Sequence, residues 1–243
     1  MKHITSNGAA RRRRPADGGY QRGEAARDRI VAAALKTFGE VGYDRATTRR
    51  IAAEAGLNTP ALQYYFDGKD GLHAALGRLV VDRLAGVLEA PIAKARAALE
   101  QRTPEHCGAA LWGLMDALFQ LSLDPDRSPA WSRFLARTQI DGQGPAFAIV
   151  RDGLHAPLFT TVADLAAIAL QTPKDGLDAR LAALFLMNVL SSFSLSPAGL
   201  RVTLGAEAPS PERVEALRES LRRAVQRLVD TRPSGDTARV RSM

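Results

Sequence analysis

The sequence has 243 residues, of which 46% are hydrophobic and 6% aromatic, and its formal net charge is +7. This hydrophobic content suffices for one large core or two smaller ones, and the abundance of Ala, Leu and Arg favours helices. No apolar run reaches the roughly 18 residues of a membrane span, and no secretory signal is visible. The single cysteine, Cys107, cannot form an internal disulfide. We therefore expect an all-α, cytoplasmic protein with no membrane partner.

The positive charge is concentrated near the N-terminus. Residues 1–75 hold 13 Lys and Arg against 8 Asp and Glu, so most of the net charge lies in this first third. The excess fits a polyanionic partner, although a solvated basic face has the same composition. Residues 1–23 include the run Arg11 to Arg14 and are predicted to form a mobile basic arm. That arm either contacts DNA, along the phosphates or in a minor groove, or is a plain tail.

The first helices are predicted from spacing and from one glycine. Apolar residues between Glu24 and Val41 recur at helical intervals, and Gly42 ends this segment. Residues 47–66 then read as two short helices joined at Gly56, a residue that tolerates the left-handed backbone of a tight turn. This is the pattern of a helix-turn-helix, whose second helix enters the major groove of DNA.

Polar residues precede both short helices. Thr47 and Asn58 stand where a side-chain oxygen can accept from an unpaired amide of the first turn. The apolar residues between them and after them are assigned to the contact between the helices: Ile51, Ala52, Ala55, Leu57, Leu62 and Phe66. Residues 24–75 are thus predicted to fold as a three-helix DNA-binding domain.

A set of residues in this region resembles the N-terminal domain of TetR-family transcriptional regulators. The set consists of Phe38, Gly42, Thr47, Ile51-Ala52, Ala55-Gly56, Tyr64-Tyr65-Phe66, Lys69 and Leu72. The resemblance implies a homodimer with an N-terminal helix-turn-helix domain and a C-terminal helical domain that binds an effector and dimerises. It further implies a repressor that a small-molecule effector releases from a palindromic operator in double-stranded DNA.

The resemblance assigns DNA contacts to positions that match the family pattern. They are Thr47, Thr48, Arg49, Asn58, Thr59, Ala61, Gln63, Tyr64 and Lys69. Amides can pair with adenine edges, Thr and Ala can contact a thymine methyl group, and cations and hydroxyls suit phosphates. Many members of the family carry an aromatic residue where this chain has Gln63. That position therefore either reads a base edge or makes no contact.

A long helix from Lys69 towards Leu99 is predicted to connect the two domains, with a kink or break near Pro91. Residues 76–230 are assigned to the effector-binding and dimerisation domain, and residues 231–243 to a disordered tail. Further helices are predicted over 104–122, 128–140, 144–171 with an interruption at Pro157, 178–196 and 211–230.

A second likeness concerns the C-terminal region. The segment from Trp131 to Arg137 and the run Gly144-Pro-Ala-Phe147, together with residues 58–66, resemble the CerR-type subgroup of TetR regulators. This likeness identifies no effector.

Large side chains of the C-terminal helices are candidates for an effector pocket, and the same residue types are typical of a packed core. The candidates are Trp112, Met115, Phe119, Phe134, Arg137 and Asn188, with Arg133, Gln139 and His155 as further polar groups. The apolar helix Leu181–Phe193 is a candidate for the dimer interface. A second candidate is the amphipathic helix that bears Val214, Leu217, Leu221, Val225 and Leu228.

No motif for phosphate-loop, dinucleotide, zinc or nucleophile-elbow chemistry is found. The histidines, His3, His73, His106 and His155, lack the spacing of metal ligands. The sequence therefore predicts no metal, no cofactor and no enzymatic activity. Two alternatives stay open. One is a helical binding or interaction protein with only non-specific DNA affinity, and the other is a helical enzyme using His106, His155 and Asp164.

Overall fold

The computed structural model describes residues 17–123, 129–195 and 210–230, which form helices and no strand. The predicted all-α class is confirmed. Helices α1 to α5 are Asp17–Arg45, Thr48–Glu54, Thr59–Phe66, Gly68–Gln101 and Pro104–Leu123. Helices α6 and α7 are Pro129–Asp141 and Gly144–Val150, and a π-helical turn, Arg151–His155, leads into α8, Ala156–Ala169. Helices α9 and α10 are Leu177–Leu195 and Pro211–Asp230. The arginine run of the predicted arm and the predicted tail lie outside the described residues.

The first helix is interrupted where the sequence predicts its end. Gly42 has φ 79° and ψ 175°, so the backbone leaves the helical conformation inside the range of α1. Ahead of this point, Ile30 and Phe38 are buried in the same core as Ile51 and Leu62. Helix α1 is therefore the support on which the two short helices pack.

Of the kink or break predicted near Pro91, the break is absent, because helix α4 runs through this residue as one helix. Proline removes one amide donor and crowds the preceding turn, which weakens a helix locally. On both sides of Pro91 the helix buries apolar side chains, including Leu88 and Ala95. This packing maintains the helix across the proline.

The interruption predicted at Pro157 lies a few residues earlier. The π-helical turn Arg151–His155 separates α7 from α8, and Pro157 is in the first turn of α8. A proline is tolerated there because first-turn amides have no acceptor within the helix. The turn contains Gly153.

The N-terminal and C-terminal regions share one core. Helix α1 packs along α6, and α4 packs along both α5 and α7. The side chains of Phe38 and Phe134 meet across the first contact, with ring centroids 6.3 Å apart. The junction between the regions is therefore a packed interface. No helix in the described part of the chain has the length and apolarity needed to cross a membrane.

Candidate nucleic-acid interface

Both short helices begin at the caps that the sequence predicts. Thr47 Oγ1 accepts from the backbone N–H of Arg50 at 3.2 Å, and Asn58 Oδ1 accepts from that of Ala61 at 3.1 Å. Gly56 between them has φ 64°, the left-handed conformation expected for the turn. Caps of this kind stabilise a helix by about 1 kcal/mol each. They also fix where α3 starts.

Helix α3 is held on one side and exposed on the other. Leu62 is fully buried and Phe66 nearly so, whereas the side chain of Tyr64 is 83% exposed. Thr59 and Gln63 are also exposed. The exposed side of α3 therefore offers a hydroxyl and an amide that can form hydrogen bonds, and a flat aromatic ring beside them.

The amide of Gln63 is already engaged. Its Nε2 donates to Asp67 Oδ1 at 2.8 Å, one helical turn further on. Asp67 itself has φ 58°, and its backbone N–H closes the last turn on the carbonyl of Gln63. A base contact that uses this N–H therefore requires the amide to exchange the Asp67 carboxylate for the base edge.

Lys69 lies at the start of α4, as predicted, and is half-buried. Its Nζ is 4.2 Å from the centre of the Tyr43 ring and 3.4 Å from the carbonyl oxygen of Asp44. The Tyr43 hydroxyl donates to the carboxylate of Asp70, and this bond, with burial, raises the pKa of Tyr43 to about 12. Lys69 thus also ties α4 to the end of α1.

Two adjacent arginines of α2 have different surroundings. Arg50 Nη2 lies 2.9 Å from Glu40 Oε2, an ion pair that joins α2 to α1. Lys36 and Glu54 make a second such pair at 2.6 Å, which raises the pKa of Lys36 and lowers that of Glu54. Arg49 is exposed and has no ion-pair partner among the described residues. Its charge is therefore available to a phosphate.

The predicted contacts occupy three neighbouring stretches: α2 with its cap, α3 with its cap, and the start of α4. Thr48 and Ala61 are half-buried, and the others on α2 and α3 are exposed. The side-chain oxygens of Thr47 and Asn58 cap their helices in the structure without DNA. The assignment of these residues to DNA contacts stays a prediction.

The six candidate effector residues are dispersed. Met115, Phe119 and Phe134 are fully buried in the core, and Trp112 is half-buried. Arg137 pairs with Asp141 on α6 at 3.1 Å, next to α1 at Gly42. Asn188 lines an open cavity on the surface of the C-terminal region. A role in effector binding stays a prediction for each of the six.

A deeper cavity lies between α4, α5, α6, α8 and α9. It holds about 650 Å³ of space between atoms, counting its opening to solvent. Among the described residues its lining is Leu84, Leu88, Leu118, Leu121, Ser122, Ser132, Leu135, Ala136, Gln139, Leu154, His155, Leu158, Met187 and Leu190. It shares Gln139, His155 and Met187 with the open cavity, so the two cavities are neighbours.

One polar pair stands where the two cavities meet. Gln139 Nε2 and His155 Nε2 are 2.9 Å apart, and burial lowers the pKa of His155. The imidazole is therefore neutral at neutral pH. Both residues belong to the polar set noted in the sequence, but their pairing joins α6 to the π-helical turn. Helical spacing within one segment does not reveal such a pair.

The π-helical turn contacts both the cavity and α4. Leu154 and His155 line the cavity, while Gly153 packs against Val81 of α4. A Cβ at Gly153 would lie 3.1 Å from one methyl carbon of Val81 and 3.2 Å from the other. Turns of this type are frequent at functional sites. The π-helical turn therefore contacts the cavity through Leu154 and His155 and contacts α4 through Gly153.

Helix α9 presents an apolar surface to solvent. Its exposed large side chains are Leu177, Leu181, Leu184, Phe185 and Val189. The predicted stripe on α10 differs, because Leu221 and Val225 are buried against the core of the same chain. Arg218 reinforces that packing through two bonds to Asp116 of α5, at 2.6 and 2.8 Å.

Comparison with known proteins agrees with this arrangement. Residues 30–76 match the family model of bacterial regulatory proteins of the tetR family. The HTH-type transcriptional dual regulator CecR of Shigella flexneri is 29% identical over 203 residues, which cover 82% of this chain and 89% of that protein. The CerR-type sub-assignment stays a prediction.

Solved structures share the fold. A bacterial regulatory protein in the tetR family from Rhodococcus RHA1 is 20% identical with a TM-score of 0.55, over 85% of this chain and 97% of that one. The ketosteroid transcriptional regulator KstR2 of Mycobacterium tuberculosis is 18% identical with a TM-score of 0.51, over 84% and 93%. The helix-turn-helix with a helical C-terminal region is therefore a shared architecture.

Proposed function

This chain belongs to the TetR family of bacterial transcriptional regulators, and we propose from that premise that it is a homodimeric repressor released from a palindromic operator by a small-molecule effector. A repressor acts where bacterial DNA lies, in the cytoplasm. The observation that carries the proposal is the exposed face of α3, on which Tyr64 is 83% exposed although the helix is anchored by buried Leu62 and Phe66.

The surface of α3 suits base recognition, and its surroundings suit phosphate contact. Thr59, Gln63 and Tyr64 supply a hydroxyl, an amide and an aromatic ring at the exposed face. Arg49 and Lys69 supply cations at the starts of α2 and α4. Phosphate contacts orient a protein on DNA, and base-edge contacts specify the sequence. The proposal gives these two roles to the two groups of residues.

The proposed release by an effector depends on α4, because this helix runs from α3 to the deeper cavity. This helix starts beside α3 at Gly68, and its Leu84 and Leu88 line the deeper cavity. A ligand shifts a conformational equilibrium only by its different affinities for the two states. We propose that the effector prefers one shape of the cavity. In that shape the π-helical turn pushes on α4 through the contact of Gly153 with Val81, and the shift of α4 moves α3.

The dimer is proposed to form through α9. Five large apolar side chains on this helix are exposed in the single chain, and Phe185 alone is 64% exposed. Large contiguous apolar patches are rare on monomers and mark association surfaces. Pairing α9 across a two-fold axis covers this patch and sets the two copies of α3 at a fixed separation.

Selection from a random pool of DNA duplexes tests the proposal. At moderate salt, the full chain is expected to enrich a palindrome whose half-sites are about one helical turn apart, or a multiple of it. Inserting five base pairs between the half-sites of the enriched duplex places them on opposite faces of the helix. Binding of the dimer should then fall. A pool with no enriched sequence would refute the proposed function and favour the non-specific alternative.

A further inference from the structure

The side chains that line the deeper cavity indicate the chemical class of its ligand. We infer that the cavity binds an uncharged, mostly apolar molecule whose hydroxyl or carbonyl group pairs with Gln139 and His155. This inference rests on the proposed function, because it names the chemical class of the effector that the function requires.

The lining of the deeper cavity is apolar. Leucines from α4, α5, α6, the π-helical turn, α8 and α9 all face it. None of its described lining residues is an aspartate, glutamate, lysine or arginine. A charge moved into such surroundings loses its hydration and gains no compensating partner. The part of the ligand that fills the cavity is therefore hydrocarbon in character.

The polar pair marks where a ligand hydrogen bond forms. Gln139 and His155 lie at the shared boundary of the two cavities, 2.9 Å apart, on different elements. A neutral imidazole offers one donor and one acceptor, and a carboxamide offers two donors and one acceptor. After the hydrogen bond between them has formed, the two side chains together still offer free donors and a free acceptor. A hydroxyl or carbonyl matches these groups without adding charge.

The cation in the described lining of the open cavity does not call for an anionic ligand. Arg151 lines the open cavity, but its Nε and Nη2 bind the carboxylate of Asp152 at 2.7 and 3.0 Å. Its Cζ also lies 5.5 Å from the centre of the Phe147 ring. The charge of Arg151 is thus already compensated within the protein. A carboxylate ligand would compete with Asp152 for it.

Three naphthalenes of matched shape test the inference on the full chain. They are 2-naphthylmethanol, 2-methylnaphthalene and 2-naphthoate, each competing with the fluorescent probe N-phenyl-1-naphthylamine. We expect the alcohol to bind about 3- to 10-fold more tightly than the hydrocarbon, the usual effect of one net hydrogen bond. We expect it to bind about tenfold more tightly than the anion.

Two variants with the same substitution locate the hydrogen bond. Gln139→Leu removes one of the two polar partners and should reduce the advantage of the alcohol over the hydrocarbon. Gln120→Leu, on an exposed residue of α5 that lines neither cavity, should behave as the wild type. Ala136→Phe fills the cavity and should weaken all three ligands at least about tenfold.

Several results would overturn the inference. They are tightest binding by 2-naphthoate, an alcohol advantage that Gln139→Leu leaves undiminished, and failure of all three compounds to displace the probe. A chain that selects an operator yet ignores the compounds refutes this inference alone. A chain that follows the expected ligand order yet selects no DNA sequence supports the inference and refutes the proposed function.

Discussion

His73 Nδ1 accepts a hydrogen bond from the backbone N–H of Ala146 at 3.2 Å, and this buried bond joins α4 to α7. The imidazole is packed among aromatic rings, with its centroid 4.6 Å from that of Tyr43 and 4.7 Å from that of Phe38. Only a neutral imidazole can accept this bond. This hydrogen bond between the N-terminal region and the C-terminal region therefore requires an unprotonated His73.

The first prediction is a pH dependence of stability. Burial, followed by the nearby charge of Lys69, lowers the pKa of His73 from 6.5 to about 4. Between these values the unfolded chain binds the proton more readily, so the free energy of unfolding falls as the pH drops from about 6.5 to about 4. The loss should be roughly 3 kcal/mol at most. Urea titrations at pH 7.5 and pH 4.5 measure it.

His73→Asn is the matched control, because an amide oxygen can replace the imidazole acceptor but does not titrate. The variant loses ring packing and should be less stable at both pH values. The difference between its free energies of unfolding at pH 7.5 and pH 4.5 should nevertheless be smaller than that of the wild type. An equal difference in the two proteins would show that His73 is not the group that titrates.

A second prediction separates the adjacent arginines of α2. Arg49 has no ion-pair partner among the described residues, and Arg50 pairs with Glu40. Arg49→Ala should weaken binding to all duplexes and reduce the slope of log affinity against log salt by about 2 for a dimer, since each lost phosphate contact contributes about 0.9.

Arg50→Ala is the control for that measurement. It breaks a surface pair that contributes about 0–1 kcal/mol to stability, and it should leave the salt slope unchanged. Fluorescence anisotropy over a range of salt concentrations gives both slopes. Identical slopes for the two variants would remove Arg49 from the phosphate contacts.

The third prediction concerns Gln63. If its amide leaves Asp67 and reads a base edge, Gln63→Leu should lose about 1–3 kcal/mol of discrimination at one base pair. Asp67→Asn keeps a residue that tolerates the left-handed backbone but removes a negative charge near DNA. It should strengthen binding without changing the preferred base. Affinities for operators substituted at single positions measure both effects, and an unaltered preference in Gln63→Leu excludes base reading.

The fourth prediction concerns the dimer. Phe185→Glu places a charge in the exposed apolar face of α9 and should shift the protein towards monomers. Ile140→Glu makes the same change at a residue of α6 that is 71% exposed. It should leave the oligomeric state unchanged. Sedimentation equilibrium distinguishes the two, and a Phe185→Glu protein as dimeric as the wild type would place the interface elsewhere.

Local features of this fold were predictable from the sequence. The caps at Thr47 and Asn58 and the turn at Gly56 depend on residues within a few positions of one another, and the structure confirms them. The packing of α1 on α6 was not predictable, because it depends on where distant segments meet. Phe134 illustrates this limit. Its residue type suited either a packed core or a pocket wall, but only the fold shows that its ring packs against Phe38 and His73.

The cavity was harder to predict for the same reason. Periodicity shows that Leu84 and Leu88 share a face of α4, and it does not show whether that face is covered or hollow. The neighbouring positions of Gln139 and His155 arise from the approach of α6 to the π-helical turn. The residues proposed to contact DNA, in contrast, follow from matches within a short motif.

The most direct test of the account is the specificity ratio of the full chain. It compares the affinity for the selected palindrome with that for a duplex of the same composition in scrambled order, at one stated salt concentration. The wild type is expected to prefer the palindrome by about 10³-fold or more. Tyr64→Ala, which removes an 83% exposed ring, should lower this ratio and leave the dimer intact. A wild-type ratio near one would contradict the account.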